Sequence, residues 1–433
     1  MRRFPLLALA LLAACTAPVP APETVAVTPP AGEMRGGEAG ALAPAAADMT
    51  AVVMDAAPAP ADSAAVASDG GRGLVRAGVL TAGDIDDTLN LAAFARYLAI
   101  SGTGLPQLPL SRSFAARVTG PDGQPAAHRR VTLRLPGAAA PFWDGYSGID
   151  GNVTVFPAAL GAGSPGRVEM RVFPDTGEPT VATLSPNVQR QTVTVPFGAG
   201  APDFLDLVFA VDVTGSMGDE LDWLVRDLVS TVRSAAMGSG GVDIRYGLVT
   251  YRDHGDEFVV RRYDFTGSGA TMRAELRAQS ASGGGDYPEA AADALAAAVD
   301  MGWRRGNGER LLFHVADAPP HDADAGRYLA VAQEAAGRQI QIFGLGASGV
   351  AEESEYLMRQ AAALTGGRYL FLTDDSGVGF SHEEPLVSCY LVTTLTDLVR
   401  RVIRSELTGL RIEPSPSEVV RQVGSYQNGI CRD

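Results

Sequence analysis

The sequence is poor in the residues and motifs on which many catalytic sites depend. Its 433 residues include three cysteines and five histidines, and no H-E-x-x-H pair supports a catalytic zinc ion. A serine hydrolase would lack its nucleophile motif, because no G-x-S-x-G elbow is present. A G-x-x-x-x-G-K-[ST] phosphate loop is missing as well. These absences predict a protein that is not an enzyme.

Basic side chains are outnumbered. Lysine and arginine together number 35 against 50 aspartates and glutamates, which gives a formal net charge of −15. Nucleic acid and anionic lipid surfaces repel so acidic a chain, and we expect neither as a partner. The acidity suits cation binding, although most of it is expected to be solvated surface.

Long apolar runs are absent after the first fifteen residues. Met1-Arg2-Arg3 is followed by an apolar stretch, 5–14, that is too short to span a bilayer as a mature helix. It ends in LAAC, which resembles the lipobox of bacterial lipoproteins. The resemblance implies a signal peptide at 1–14, a lipid on Cys15 and a bacterial cell-envelope location. Thr16 replaces the aspartate that some bacteria use for inner-membrane retention, so the outer membrane is favoured. The alternative is an ordinary secretory signal.

Composition divides the next part of the chain. Residues 15–73 are dominated by Ala, Pro, Gly and Thr, cannot form a core, and are predicted to be a disordered tether. Residues 74–110 are predicted to be a helical transition segment, with Thr81 or Asp84 as the N-terminal cap. Residues 111–200 contain short alternating runs and turn signals such as PDGQP.

The alternating stretch 111–200 predicts a small antiparallel β-sandwich, and it resembles the Ig-like modules of bacterial surface proteins. We interpret Trp143 and Tyr146 as packing residues in preference to a sugar-binding platform. From residue 201 to 409, apolar strands alternate with amphipathic helices. This pattern predicts an α/β domain with a doubly wound, mostly parallel sheet. Residues 410–433 are predicted to be a C-terminal tail.

Two cysteines remain after lipidation of Cys15. In an exported chain, Cys389 and Cys431 most simply form a disulfide, which would tie the tail to a point near the start of the last long helix, placed at 388–406. A free pair is the alternative.

Acids and hydroxyls follow three apolar stretches of the α/β part. Asp212, Thr214 and Ser216 end the run VFAVDVTGS, Asp286 follows three glycines in SGGGDYPEA, and Asp317 ends LLFHVAD. Ligands of such sheets bind at the carboxyl ends of the strands, where these loops would converge. A hard divalent cation would relieve the mutual repulsion of the carboxylates.

These three loops resemble the metal-ion-dependent adhesion site (MIDAS) of von Willebrand factor type A (VWA) domains. The D-x-T-x-S run matches the family's D-x-S-x-S, Asp317 matches its aspartate loop, and Asp286 stands where the family usually has threonine. GGGDYPE and YRDHGDE are similar to a bacterial and kinase-associated branch. The resemblance implies Mg²⁺, or Mn²⁺ or Ca²⁺, held by Asp212, Thr214, Ser216, Asp286 and Asp317.

Metal-dependent binding of a protein or glycan partner by a lipid-anchored envelope protein is therefore the predicted function. Asp286 would make the site hold metal better without a ligand; alternatively it caps a helix that begins at Pro288. Two other functions stay open: a structural envelope component whose metal only stabilises loops, and a metal-dependent hydrolase with His254 or His321 as base. GLGASG at 344–349 fits a dinucleotide fingerprint but is interpreted as a plain strand-to-helix connection.

Overall fold

A computed structural model describes residues 79–187, 190–285, 287–347, 349–376 and 385–432. Cys15, the predicted signal peptide and the predicted tether lie outside the described residues, as does Asp286. Within those ranges, no helix has both the length and the apolar character needed to cross a bilayer.

The first described element is a strand, which corrects the prediction for 74–110. Strand β1 (Thr81–Ile85) is fully buried, and helix α1 (Leu91–Ile100) begins only after it. Thr81 and Asp84 are therefore strand residues, and Asn90 occupies the N-cap position of α1. Pairing with distant strands overrides the local cap signal here, and the buried Asp84 is matched by Arg368, with 3.2 Å between Oδ2 and Nη1.

Two small sheets follow and enclose one apolar core. The first has the order β4-β3-β6-β7 and is antiparallel; the second has the order β5-β2-β8, with β2 and β8 parallel. The strands are β2 (Phe114–Thr119), β3 (Arg130–Arg134), β4 (Trp143–Tyr146), β5 (Asn152–Val155), β6 (Val168–Val172), β7 (Thr180–Leu184) and β8 (Gln191–Thr194).

The remaining chain supplies eight strands of a nine-stranded sheet, whose ninth strand is β1, and helices cover both faces of this sheet. Its elements are β9 (Phe204–Asp212), α2 (Gly218–Ala236), β10 (Asp243–Tyr251), β11 (Val260–Thr266), α3 (Gly269–Arg277), α4 (Ala291–Val299), β12 (Glu309–Ala316), α5 (Asp322–Gly337), β13 (Gln341–Gly346), α6 (Glu352–Thr365), β14 (Tyr369–Thr373), β15 (Tyr390–Thr394), α7 (Leu395–Thr408) and β16 (Arg421–Val423). A hairpin of β17 (Tyr426–Gln427) and β18 (Ile430–Cys431) ends the chain.

Strand order in the large sheet is β11-β10-β9-β12-β13-β14-β1-β15-β16. Five neighbouring strands in the centre of the sheet, β10, β9, β12, β13 and β14, are parallel. Strand β11 pairs antiparallel with β10 at one side, and β1 pairs antiparallel with β14 at the other. Helices α2, α3 and α7 cover one face, while α1, α4, α5 and α6 cover the other. The predicted α/β, doubly wound, mostly parallel sheet is confirmed.

Two predicted helix starts are wrong. Helix α7 begins at Leu395, because the preceding YLVTT run is rich in aromatic and β-branched residues and pairs with β1 and β16. Helix α4 begins at Ala291, so Pro288 lies outside its first turn. The Cys389–Cys431 disulfide is confirmed. It joins the tail to the residue before strand β15, and not to the start of a helix as expected.

Candidate metal centre

Strand β9 carries the first of the predicted metal ligands to the carboxyl edge of the sheet. All nine residues of β9 are buried, since β10 and β12 flank it in parallel and helices cover both faces. Its last residue, Asp212, is 0% exposed. Carboxylate oxygen Oδ1 accepts hydrogen bonds from the Thr214 backbone N–H at 2.8 Å and from the Thr214 hydroxyl at 2.7 Å. The other oxygen, Oδ2, is buried and has no hydrogen-bond partner.

The aspartate after β12 lies beside this group. Asp317 is 7% exposed, and its carboxyl group accepts a hydrogen bond from the Ser216 side chain. Burial, together with the nearby charge of Asp317, raises the pKa of Asp212 to about 7. Burial also raises the pKa of Asp317 itself. The structure thus brings Asp212, Thr214, Ser216 and Asp317 together, as predicted.

The glycine loop that precedes Asp286 passes directly over the Thr214 loop. Gly283 accepts a hydrogen bond from the Gly215 N–H at 3.3 Å, and the Gly284 N–H donates to Asp256 Oδ2 at 3.0 Å. Gly283 and Gly284 have φ values of +87° and +78°, a region that side chains disfavour. A Cβ at Gly284 would also lie 3.2 Å from the Thr214 Cβ. The loop bearing Asp286 therefore enters the site, while the contribution of Asp286 stays a prediction.

Glu289 is a further acid that the sequence analysis missed. Its side chain is 4% exposed, Oε2 has no hydrogen-bond partner, and Oε1 lies 2.9 Å from the position of a Cβ on Gly284. Burial, with Asp212 as the next cause, raises the pKa of Glu289 to about 9. A second acid three residues after Asp286 in GGGDYPE was the available signal, but it looks like an ordinary residue near a helix start.

The histidines near this edge are held by carboxylates. His321 Nε2 is 2.7 Å from Asp253 Oδ1, and the His321 ring lies 5.8 Å, centroid to centroid, from the ring of His254. His254 in turn has Nε2 3.4 Å from Asp293 Oδ2. His314 is different, because it lies in the core between the hydroxyls of Tyr251 and Tyr328, each 3.0 Å from a ring nitrogen.

The donor set fits a hard divalent cation. Asp212 and Glu289 each bury an unpartnered carboxylate oxygen, and the nearby acids Asp317 and Glu220 both help to raise the pKa of Asp212. Carboxylate and hydroxyl oxygens are the ligands that Mg²⁺ and Ca²⁺ prefer. In that same part of the chain, no group of three His, Cys, Asp or Glu side chains is arranged to hold a metal ion unaided. Hydroxyl groups, water molecules and Asp286 would have to complete the shell.

Comparison with known families identifies the domain that carries these residues. Residues 206–377 match the family described as von Willebrand factor A domain. This part of the chain is a VWA domain. The match begins within β9 and ends after β14, so it includes both aspartate loops and the glycine loop between them.

One protein relative matches a limited part of this chain. Alpha-protein kinase vwkA of Dictyostelium discoideum is 32% identical over 129 residues, which cover 29% of this chain and 20% of that protein. The chain therefore matches about a fifth of that curated relative, whose kinase name describes that protein alone.

Two solved structures have low similarity to this chain. Conserved hypothetical protein BatB from Bacteroides thetaiotaomicron has 15% identity and a TM-score of 0.33, covering 47% of this chain and 97% of BatB. The vWF domain of the type V pili tip protein Mfa5 from Porphyromonas gingivalis has 13% identity and a TM-score of 0.33, covering 50% of this chain and 99% of that domain. Likeness at this level carries no function to this chain.

Proposed function

We propose that this chain is a lipid-anchored protein of the bacterial cell envelope, favouring the outer membrane. It would bind a protein or glycan partner through a divalent cation in its VWA domain, without catalysis. The observation that carries the proposal is the buried Oδ2 of Asp212, which no hydrogen bond satisfies and which lies among other acids. A buried charge left in this condition is costly unless a cation neutralises it.

Different residues of the site would supply different kinds of ligand to the cation. Asp212 and Asp317 would supply charge, Thr214 and Ser216 would supply hydroxyl oxygens or hold water, and Asp286 would add a carboxylate from the glycine loop. A bound Mg²⁺, Mn²⁺ or Ca²⁺ would act as a Lewis acid toward an oxygen of the partner. Glu289, whose pKa of about 9 keeps it protonated at neutral pH, would lose its proton beside a bound cation, and the carboxylate so formed would favour retention of the cation in the absence of a partner.

Manganese binding tests the metal centre directly. Titration of the purified full chain with Mn²⁺, followed by the paramagnetic resonance signal of the free ion, is expected to show one site that Mg²⁺ displaces. Asp317→Asn should abolish that site. Asp206→Asn is the matched control, because Asp206 is buried in the same strand as Asp212 but is paired with Arg245 and Arg304. Absence of a Mn²⁺ site in the parent chain would end the proposal.

The anchor and the function of the metal need separate tests. In a bacterial host, labelled fatty acid should be incorporated into the full chain and lost in Cys15→Ala. If the metal serves partner binding, chelation should release the partner. Were chelation to lower the unfolding temperature and leave partner binding unchanged, the structural alternative would replace the adhesive one.

A further inference from the structure

A second site lies at the opposite end of the large sheet from the metal centre. A cavity of about 150 Å³ opens between the sandwich and the first residues of β12 and β13. The sandwich contributes Trp143, Tyr146 and Asn152, and the large sheet contributes Glu309 and Gln341. The proposed metal ligands lie at the carboxyl ends of the strands and do not line this cavity.

Three polar atoms that line this cavity are buried without hydrogen-bond partners: Asn152 Oδ1, Gln341 Oε1 and Arg368 Nη2. Arg368 is 5% exposed, and its Nη1 is occupied by Asp84. The residues that line the cavity therefore bury two acceptors and one donor without partners, one each on β5, on β13 and on the residue before β14. Buried polar groups of native proteins are nearly always satisfied, so they require an occupant with both hydrogen-bond donors and acceptors.

The charges around the cavity nearly cancel. Three cations and three anions line it: Arg310, Arg368 and Arg411, and Asp86, Asp150 and Glu309. The lining also includes Glu406, which is 3% exposed, and burial raises its pKa to about 8. Most of the Glu406 carboxyl group is therefore protonated at neutral pH and can donate a hydrogen bond. A ligand with a strong net charge would gain little here.

An aromatic side chain forms part of the wall. The ring of Trp143 lies over Gly145, where an added Cβ would approach the ring carbon Cζ2 to 2.5 Å. Trp143 packs on the sandwich core, as the sequence predicts, and it also lines the cavity. Aromatic faces receive the C–H faces of sugar rings, whose hydroxyls provide both donors and acceptors.

The walls are fixed before any ligand binds. The Asp150 N–H donates to the Gly409 carbonyl at 2.8 Å, and the Gln339 side-chain amide donates to the Asp144 carbonyl at 2.8 Å. Asp150 and Gln339 both line the cavity and both adopt left-handed backbone conformations, with φ of 55° and 58°. Residues other than glycine keep such backbone conformations only where the surrounding structure holds them, and they are often found at ligand-binding sites.

We propose that this cavity binds a neutral monosaccharide, a single pyranose ring, between the sandwich and the VWA domain. Arg368 would donate to a ring hydroxyl, Asn152 and Gln341 would accept from hydroxyls, and Trp143 would contact the C–H face. The cavity volume equals roughly five water molecules at liquid density. Ordered water is therefore the competing occupant, and the experiment must distinguish the two.

Saturation-transfer NMR on the full chain tests this site. Probes are D-glucose, D-galactose and N-acetyl-D-glucosamine up to about 10 mM, with anionic D-gluconate for comparison, since weak sites have Kd near 1 mM. EDTA is present throughout, so that the outcome is independent of the proposed metal centre. At least one pyranose should receive saturation from the protein, and gluconate should receive less.

A pair of variants locates the binding. Asn152→Val removes the unpartnered acceptor and replaces it with a residue that is common in strands. Pyranose binding should weaken about tenfold, which is the effect of losing one buried hydrogen bond. Thr192→Val is the matched control, because Thr192 is exposed on β8, outside the cavity, and binding should be unchanged. No transfer to any pyranose would mean that water fills the cavity. Equal binding by Asn152→Val, or stronger binding of gluconate, would also overturn the proposal.

Discussion

Replacing Asp212 by asparagine should stabilise the metal-free protein and destroy its response to metal. The change keeps an oxygen at Oδ1, where the two hydrogen bonds from Thr214 are accepted. It replaces the unpartnered, negatively charged Oδ2 with a neutral amide N–H₂ group close to the Asp317 carboxylate. The substitution therefore removes repulsion and adds a hydrogen-bond donor where the parent chain has only acids.

The magnitude follows from the pKa of Asp212, which is about 7 in the folded protein against an ordinary value of 3.8. Because the folded pKa is raised, the ionised group lowers stability progressively as pH rises from about 4 to 7. Above pH 7 the full penalty is present. A difference of roughly three pH units corresponds to about 4 kcal/mol. In EDTA at pH 8, Asp212→Asn should therefore unfold at a higher urea concentration than the parent chain.

Added metal should narrow this difference in stability. With Mg²⁺ at a hundred times its Kd, the parent should gain about 2.7 kcal/mol, and the variant should gain nothing. The assay is urea unfolding followed by circular dichroism, with and without Mg²⁺ or Mn²⁺. Asp206→Asn removes the charge of a fully buried aspartate from its ion pairs with two partly exposed arginines, and it should lose about 3 kcal/mol in both conditions. If Asp212→Asn were less stable than the parent in EDTA, Asp212 would not be an uncompensated charge and the reasoning would fail.

Other perturbations test the fold. Burial lowers the pKa of His314 from 6.5 to about 4, so the parent should lose about 3 kcal/mol as pH falls from 6.5 to below 4, and His314→Gln should lack this part of the slope in urea midpoints. Replacing Cys389 and Cys431 by serine opens a loop with a sequence separation of 42, and should cost about 4 kcal/mol in calorimetry; an unchanged melting temperature would contradict this. Gly367→Ala would drive its Cβ into the Ile342 carbonyl and should cost about 3 kcal/mol, whereas Gly302→Ala, in open space, should be nearly neutral.

Several features of this fold could be predicted because burial on both faces leaves a clear pattern. Strands β9 and β12 are nearly uninterrupted apolar runs that stop at Asp212 and just before Asp317, and parallel strands place such ends at one edge. The disulfide followed from the count of cysteines in a chain that the sequence predicts to be exported. In these cases the local sequence pattern and the tertiary environment favour the same structure.

Strand β1 could not be predicted, because its environment is distant in the sequence. Thr81 pairs with Thr373 and with Thr394, about 300 positions away, and TAGDI contains no β-rich pattern. A threonine and an aspartate before a helix normally indicate a cap. Glu289 was missed for a related reason, since only the folded glycine loop places its carboxylate beside Thr214.

The path of the chain makes the sandwich an insertion between two strands of one sheet. β1 precedes the sandwich, β9 follows it, and both belong to the nine-stranded sheet. The sandwich is thus attached at both ends, and further contacts include the Arg190 guanidinium donating to the Thr88 carbonyl at 2.9 Å. Such attachment explains how a preformed cavity can exist where the two parts meet.

Strand β12 separates the two proposed sites. It begins at Glu309, which lines the cavity, and Asp317 of the metal centre follows it directly. Eight residue steps at about 3.3 Å each place these residues roughly 26 Å apart. The strand between them is buried and paired along its length with β9 and β13, which holds it in place. Coupling over such a distance needs an element that can change between two arrangements. Occupation of one site should therefore leave the affinity of the other unchanged, which is why chelating the metal does not compromise a test for the sugar.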